Sequence, residues 1–282
     1  MKHEKQSKAL EESPAINTRA EEKKVEDRLA IGPHIVYETI RREGEEEFTR
    51  TSSALAWSGL AAGLSMGFSL VAEALLAAHL PAAQWTKLIS KLGYSVGFLI
   101  VILGRQQLFT ETTLTVILPL LSKKRLDKIL GVLRIWSVIL AANLVGTFIF
   151  ALCIGHISIF EPAVRQALNE VSREGVGIGF GTALLRAIFA GWLIALTVWL
   201  LPVAESSRVS IIIILTYLIG VGSFNHVIAG STKMFYLIVT GNLTWGAYAT
   251  GFFIPTLLGN IIGGVSLVAF LGHAQVVAGK ET

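Results

Sequence analysis

Two short stretches carry residues that could do chemistry inside an otherwise apolar chain. Gly220-Val221-Gly222-Ser223-Phe224-Asn225-His226-Val227-Ile228-Ala229-Gly230 sets three glycines, an asparagine and a histidine between the apolar run 211–215 and a second apolar run from Met234. Gly104-Arg105-Gln106-Gln107-Leu108-Phe109-Thr110-Glu111-Thr112-Thr113 interrupts an earlier apolar run in the same way. Unpaired peptide groups in hydrocarbon cost several kcal/mol each, so breaks of this kind survive only where they are buried in protein or line a cavity. An ionisable side chain at membrane depth marks a functional site by default. Histidine suits a site that handles charge or protons, since its ordinary pKa of ~6.5 lies near working pH. His226 can carry a positive charge or hand a proton to a basic solute. Helix halves that end at a break aim N–H groups and positive dipole ends at the same place, lowering the desolvation cost of an anion.

The elements that position these stretches are membrane helices. Apolar residues make up 52% of the 282 residues and charged residues only 16%, with a mean hydropathy of +0.62. A soluble chain carries about 25% charge. The net charge of +4 is modest and the basic residues flank apolar spans, so no nucleic-acid partner is expected. Residues 1–50 hold twelve of the twenty acidic residues and form a polar, cytoplasmic tail ending in a juxtamembrane helix from Pro33 to Thr51. Within that helix, the acidic run Glu43 and Glu45-Glu46-Glu47 reads as a solvated face. The pore domain is expected at 51–275 and a second short tail at 276–282. Six spans of about 20 residues or more follow the tail, near 53–78, 88–121, 129–155, 179–201, 209–240 and 250–273. The second and fifth are the interrupted ones. Gly59, Gly63 and Gly67, four apart, put a small-residue face on the first span that another helix can approach closely.

Lys123, Lys124, Arg125, Lys128 and Arg134 crowd one connection, and Arg41, Arg42, Arg50, Arg208 and Lys280 share its side if there are six crossings. The excess of Lys and Arg there places both termini in the cytoplasm. The segment from Ile157 to Gly177 is then an outer loop. Asn143, Gly146, Gly155 and His156 recur as Asn260, Gly263, Gly272 and His273, each 117 positions later, and at that offset Phe109 matches His226. Three spans followed by three similar ones have opposite topology, the pattern of inverted-repeat transport proteins with a site near the midplane. The fold class is therefore an all-α membrane protein, a 3+3 inverted repeat with broken second and fifth helices.

Three motifs resemble the formate/nitrite transporter family. Leu108-Phe109-Thr110 closes the second span, Phe224-Asn225-His226-Val227-Ile228-Ala229 interrupts the fifth, and Gly259-Asn260-Ile261-Ile262-Gly263-Gly264 lies in the sixth. The resemblance covers residues 53 to 273. It implies an aquaporin-like protomer, a homopentamer with one pore per protomer in the inner-membrane bilayer, and passage of small monovalent anions such as formate or nitrite, with protons involved. It also implies a chamber holding His226 with Thr110 opposite, between constrictions formed by Leu108, Phe109 and Phe224. Asn225, Arg105, Gln107, Glu111, Lys233 and Asn260 are then pore-adjacent.

Several residues depart from the family pattern. Gln107 replaces an acidic residue, Arg105 a small one and Asn225 a glutamate, while Gly230-Ser231-Thr232-Lys233 replaces an asparagine and adds residues. Arg105 either pairs with Glu111 or alters selectivity; Lys233 is expected to reach a membrane interface by snorkelling. Glu73, inside the first span, matches no motif; a buried pair or a vestibule role is open to it. A non-conducting sensor on the same fold stays open as a second class. An enzyme is not expected: no Ser/His pairing, metal-ligand spacing or cofactor motif is present, so neither metal nor cofactor is assigned.

Overall fold

The computed structural model describes residues 32–122, 126–204 and 206–270, and every regular element among them is helical. Residues 1–31 of the expected tail at 1–50, the expected tail at 276–282, the basic cluster 123–125, and Gly272 and His273 lie outside the described residues. The helices are α1 (Pro33–Thr49), α2 (Ser52–His79), α3 (Thr86–Leu103), α4 (Phe109–Leu121), α5 (Leu126–His156), α6 (Pro162–Arg173), α7 (Phe180–Leu200), α8 (Arg208–Val221), α9 (Val227–Val239) and α10 (Trp245–Ser266). Five of them, α2, α3, α5, α7 and α10, are long and apolar enough to cross a membrane. The shorter apolar helices α4, α8 and α9 flank the two breaks. The interruptions expected in the second and fifth spans are thus gaps between α3 and α4 and between α8 and α9.

Close helix pairs build the scaffold. α2 packs along α5, and α7 packs along α10. Both crossings are made by glycine. A Cβ on Gly63 would strike the Asn143 carbonyl and Gly146, and one on Gly191 would strike the Asn260 carbonyl. With no driving force from water inside a bilayer, helices associate through such backbone-to-backbone packing. Pro255 lies in α10, which runs as a π-helix over Ala249–Phe253 and again beyond Gly263. The proline lacks the N–H that an α-helix needs there, so the widened turn has a local cause.

Two segments differ from the sequence expectation. The connection 157–177 contains a helix, α6, whose Val164, Ala167, Leu168 and Val171 are buried against α2 and α9. Their i, i+3, i+4, i+7 spacing is that of an amphipathic helix. α1 is a helix as expected, but Val36 and Ile40 are buried in the protein core, whereas Ile35 is exposed. Its acidic run is not wholly solvated. Glu47 accepts a hydrogen bond from Gln107 Nε2 at 2.9 Å, tying α1 to the first break.

Candidate functional site

Both breaks are built the same way. α3 ends at Gly104 and α8 at Gly222, each followed by a residue with left-handed backbone, Arg105 (φ 49°) and Ser223 (φ 53°). The N–H of Gln106 donates to the Val101 carbonyl and that of Phe224 to the Ile219 carbonyl, both at 3.0 Å. This six-to-one bond is the Schellman closure of a helix end. A non-glycine residue in the left-handed region costs about 1 kcal/mol, so both breaks hold some backbone strain. The chain then runs extended to Leu108 (φ −103°, ψ 128°) and His226 (φ −107°, ψ 125°), where α4 and α9 begin.

These pairs lie 118 positions apart, so the residue matching His226 is Leu108 and not Phe109, as the 117 spacing of the later motifs suggests. One residue fewer separates break from asparagine in the second half. Loop length shifts the register there without disturbing either element.

An asparagine clamps each break. Asn143 Oδ1 accepts from the Phe109 N–H at 2.9 Å, while its Nδ2 donates to the carbonyls of Gln107 (2.9 Å) and Gly59 (2.7 Å). Asn260 Oδ1 accepts from the Val227 N–H at 2.8 Å, while its Nδ2 donates to the carbonyls of Asn225 and Ala187, both at 2.8 Å. Both side chains are fully buried. Each thereby satisfies backbone groups that the break would otherwise leave bare.

At the centre the two halves meet. Thr110 Oγ1 lies 2.8 Å from His226 Nε2, and both residues are buried. His226 caps α9: its Nδ1 accepts from the Ala229 N–H at 3.2 Å. An accepting Nδ1 carries no proton, so the neutral ring holds its proton on Nε2 and donates to Thr110. The ring stands edge-on to Phe98, with centroids 5.0 Å apart. The first turns of α4 and α9 both start here, so two positive helix ends converge on one point.

A cavity with about 470 Å³ of empty space, part of it open solvent, reaches His226 from the end of the bundle that carries α6. Phe224, Asn225, Lys91, Glu174 and Lys233 are among its lining residues. Phe224 stacks on Phe189 at 5.2 Å, and Asn225 Nδ2 donates to the Ala183 carbonyl at 3.5 Å. Leu108 and Phe109 are instead buried in the core, Phe109 edge-on to Trp136.

Lys233 does not snorkel. Its side chain is 12% exposed and its Nζ donates to Glu73 Oε2 at 2.9 Å. α9 restarts deep in the protein, so its second turn places position 233 inside. Glu73, fully buried on α2, gives its other oxygen to Lys91, whose ammonium also reaches Glu174. The carboxylate inside the first span, near its second end, was the visible signal of this cluster, and its partners were not. Arg105 and Glu111 form no ion pair among the described residues. Arg105 is exposed and its charge acts on Glu43 of α1, while Glu111 Oε1 is buried without a hydrogen-bond partner in the first turn of α4.

Comparison with known proteins agrees with this architecture. Residues 34–274 match the family model described as Formate/nitrite transporter. The chain is 39% identical to the inner membrane protein YfdC of Escherichia coli (strain K12), over 89% of this chain and 81% of that protein. It is 29% identical to the formate channel BtFdhC of Bacillus thuringiensis, covering 84% and 93% of the two. Among solved structures, a pentameric formate channel with formate bound superposes with a TM-score of 0.68 at 20% identity, over 80% of this chain and 98% of that one. An FNT family ion channel superposes with a TM-score of 0.74 at 16% identity, over 87% and 99%. The family is one of membrane transporters and channels, not of enzymes. The chain belongs to the formate/nitrite transporter family.

Proposed function

We propose that this protein is a channel or proton-linked facilitator that moves small monovalent anions of the formate and nitrite kind across the inner membrane. It works as a homopentamer with one pore per protomer, within residues 51–275, and both termini face the cytoplasm. The observation that carries the reading is the Thr110–His226 pair at 2.8 Å, set between two converging helix starts at the inner end of a lysine-bearing cavity. An anion reaching this point meets N–H dipoles and the Thr110 hydroxyl instead of bare hydrocarbon. With Nε2–H donating to Thr110 Oγ1, the hydroxyl's own hydrogen can turn to the solute. A proton arriving at the ring must go to Nδ1, which opens the cap to the Ala229 N–H and makes the ring an imidazolium. Passing that proton to a carboxylate restores the neutral ring, and the solute leaves as the uncharged acid. Phe224 narrows the approach, and Leu108 and Phe109 supply the bulk of the second constriction. Arg105, Gln107, Asn225, Glu111, Lys233 and Asn260 shape the two mouths and the breaks.

Uptake of labelled formate and nitrite into proteoliposomes tests the reading. Wild-type protein is expected to carry either anion well above empty vesicles. Absence of uptake of both would leave a sensor or partner-binding protein on this fold.

A further inference from the structure

Above His226, five charged side chains form a continuous relay: Lys87, Glu174, Lys91, Glu73 and Lys233. The two carboxylates in it are held differently. Glu73 sits within α2, its side chain 1% exposed, with one oxygen on Lys91 and the other on Lys233. Glu174 follows the last residue of α6, its side chain 29% exposed, with one oxygen 3.2 Å from the exposed Lys87 and the other on Lys91. Gly175 comes next and lies against Met234 and Phe252, while Gly177, two residues on, adopts φ 76° in open space. Lys91, Glu174 and Lys233 all line the cavity that ends at His226.

The relay carries three cations and two anions. Glu73 alone cannot neutralise Lys91 and Lys233 together. The ammonium of Lys91, 3% exposed, therefore has room in its coordination for one more carboxylate, and the chain itself supplies it. A partly exposed carboxylate at a helix end, paired with a buried lysine at a cavity wall, occupies the position that a solute carboxylate would take.

We infer that Lys91, on the cavity wall, and the exposed Lys87 outside it form an anion-recruiting subsite, that Glu174 fills it as a tethered competitor, and that an entering monovalent anion must displace Glu174 before it reaches His226. This rests on the proposed reading of the protein as an anion pore. It assigns Glu174 to specificity: an anion that binds Lys91 no better than a tethered carboxylate is held out. Glu73, with both oxygens committed inside the protein, positions Lys91 and Lys233 and is not displaced.

The test is the concentration dependence of labelled formate uptake into proteoliposomes for wild type, Glu174→Gln and Glu174→Asp. Glu174→Gln keeps an oxygen for Lys91 but removes the competing charge. Half-saturation is expected to fall roughly two- to fivefold, the range set by losing one partly exposed ion pair, with little change in maximal rate. Glu174→Asp, one methylene shorter, should move half-saturation the same way by less, and it serves if the glutamine variant fails to assemble. Unchanged or raised half-saturation in an assembled variant would overturn the inference, marking Glu174 as a structural partner of Lys91. Wild-type vesicles that take up no formate would instead sink the pore reading itself, so the two failures are distinguishable.

Discussion

Asn143 and Asn260 make the same three hydrogen bonds in the two halves of the molecule, each binding one N–H and one carbonyl of its own break and one carbonyl of a neighbouring helix. They are the load-carrying joints of the inverted repeat, because a helix interrupted in a bilayer must find partners for its freed backbone groups. Replacing either by leucine of similar volume strands a buried N–H and a buried carbonyl, at about 1–3 kcal/mol for each. Asn143→Leu and Asn260→Leu are each expected to lower thermal stability in detergent by an amount corresponding to several kcal/mol, and to similar extents. Melting of the purified variants by intrinsic fluorescence checks this. A marked inequality would mean that the two clamps are not equivalent.

His226 has two duties that substitutions can separate. Its Nδ1 caps α9 and its Nε2 faces Thr110. Asparagine is among the best N-cap residues, whereas phenylalanine cannot cap. His226→Asn should therefore keep stability, and His226→Phe should lose about 1 kcal/mol. Both should cut anion flux, by roughly ten- to a hundredfold if a charge-assisted hydrogen bond is lost, and both should abolish co-movement of protons read by an internal pH dye. Normal flux and proton uptake in His226→Asn would leave the histidine only its capping role.

Thr110→Val removes one hydroxyl without changing side-chain shape. The loss of a single neutral hydrogen bond, worth ~1 kcal/mol, predicts about a fivefold slower flux. Stopped-flow light scattering on formate-loaded vesicles resolves a change of that size. No change would remove Thr110 from the path of the solute.

Glu73→Gln leaves two buried ammonium groups short of a counter-charge. Breaking a buried pair on one side costs about 3–5 kcal/mol. Lys91 keeps Glu174, but Lys233 keeps no carboxylate within salt-bridge distance among the described residues. Adding Lys233→Met to Glu73→Gln should accordingly recover part of the lost stability, a non-additivity measurable as a difference in melting temperature across the double-mutant cycle. Strict additivity would show that the two residues do not depend on each other.

The glycine crossings should tolerate nothing larger. In Gly63→Ala or Gly191→Ala, the new methyl meets a backbone carbonyl of the facing helix, which has no rotamer with which to retreat. Overpacking of this kind costs about 1–3 kcal/mol. Size-exclusion profiles and native mass spectra should show less of the expected pentamer in both variants. For orientation, a reporter fused after Thr282 should be active only on the cytoplasmic side.

The sequence alone determined where the membrane helices break. Glycines, polar residues and a histidine inside long apolar runs have no other economical arrangement in lipid, and the breaks lie between Leu103 and Phe109 and between Val221 and Val227. It also marked His226, through the rule that ionisable groups at depth are there for a reason. Position along a helix is a local property, so it can be read from spacing. Which neighbour a side chain meets is not local. Lys233 looks free to reach an interface until α9 is seen to restart inside the protein, facing Glu73 on a helix 160 residues earlier. Glu174 is an ordinary loop carboxylate until α6 folds its apolar stripe against α2 and α9 and brings it to Lys91. The one-residue difference between halves, which makes Leu108 rather than Phe109 the counterpart of His226, becomes visible only when the matching backbone turns are overlaid. Long-range pairing of charges and loop register depend on how helices cross, and those crossings are decided by glycine contacts between segments far apart in the chain.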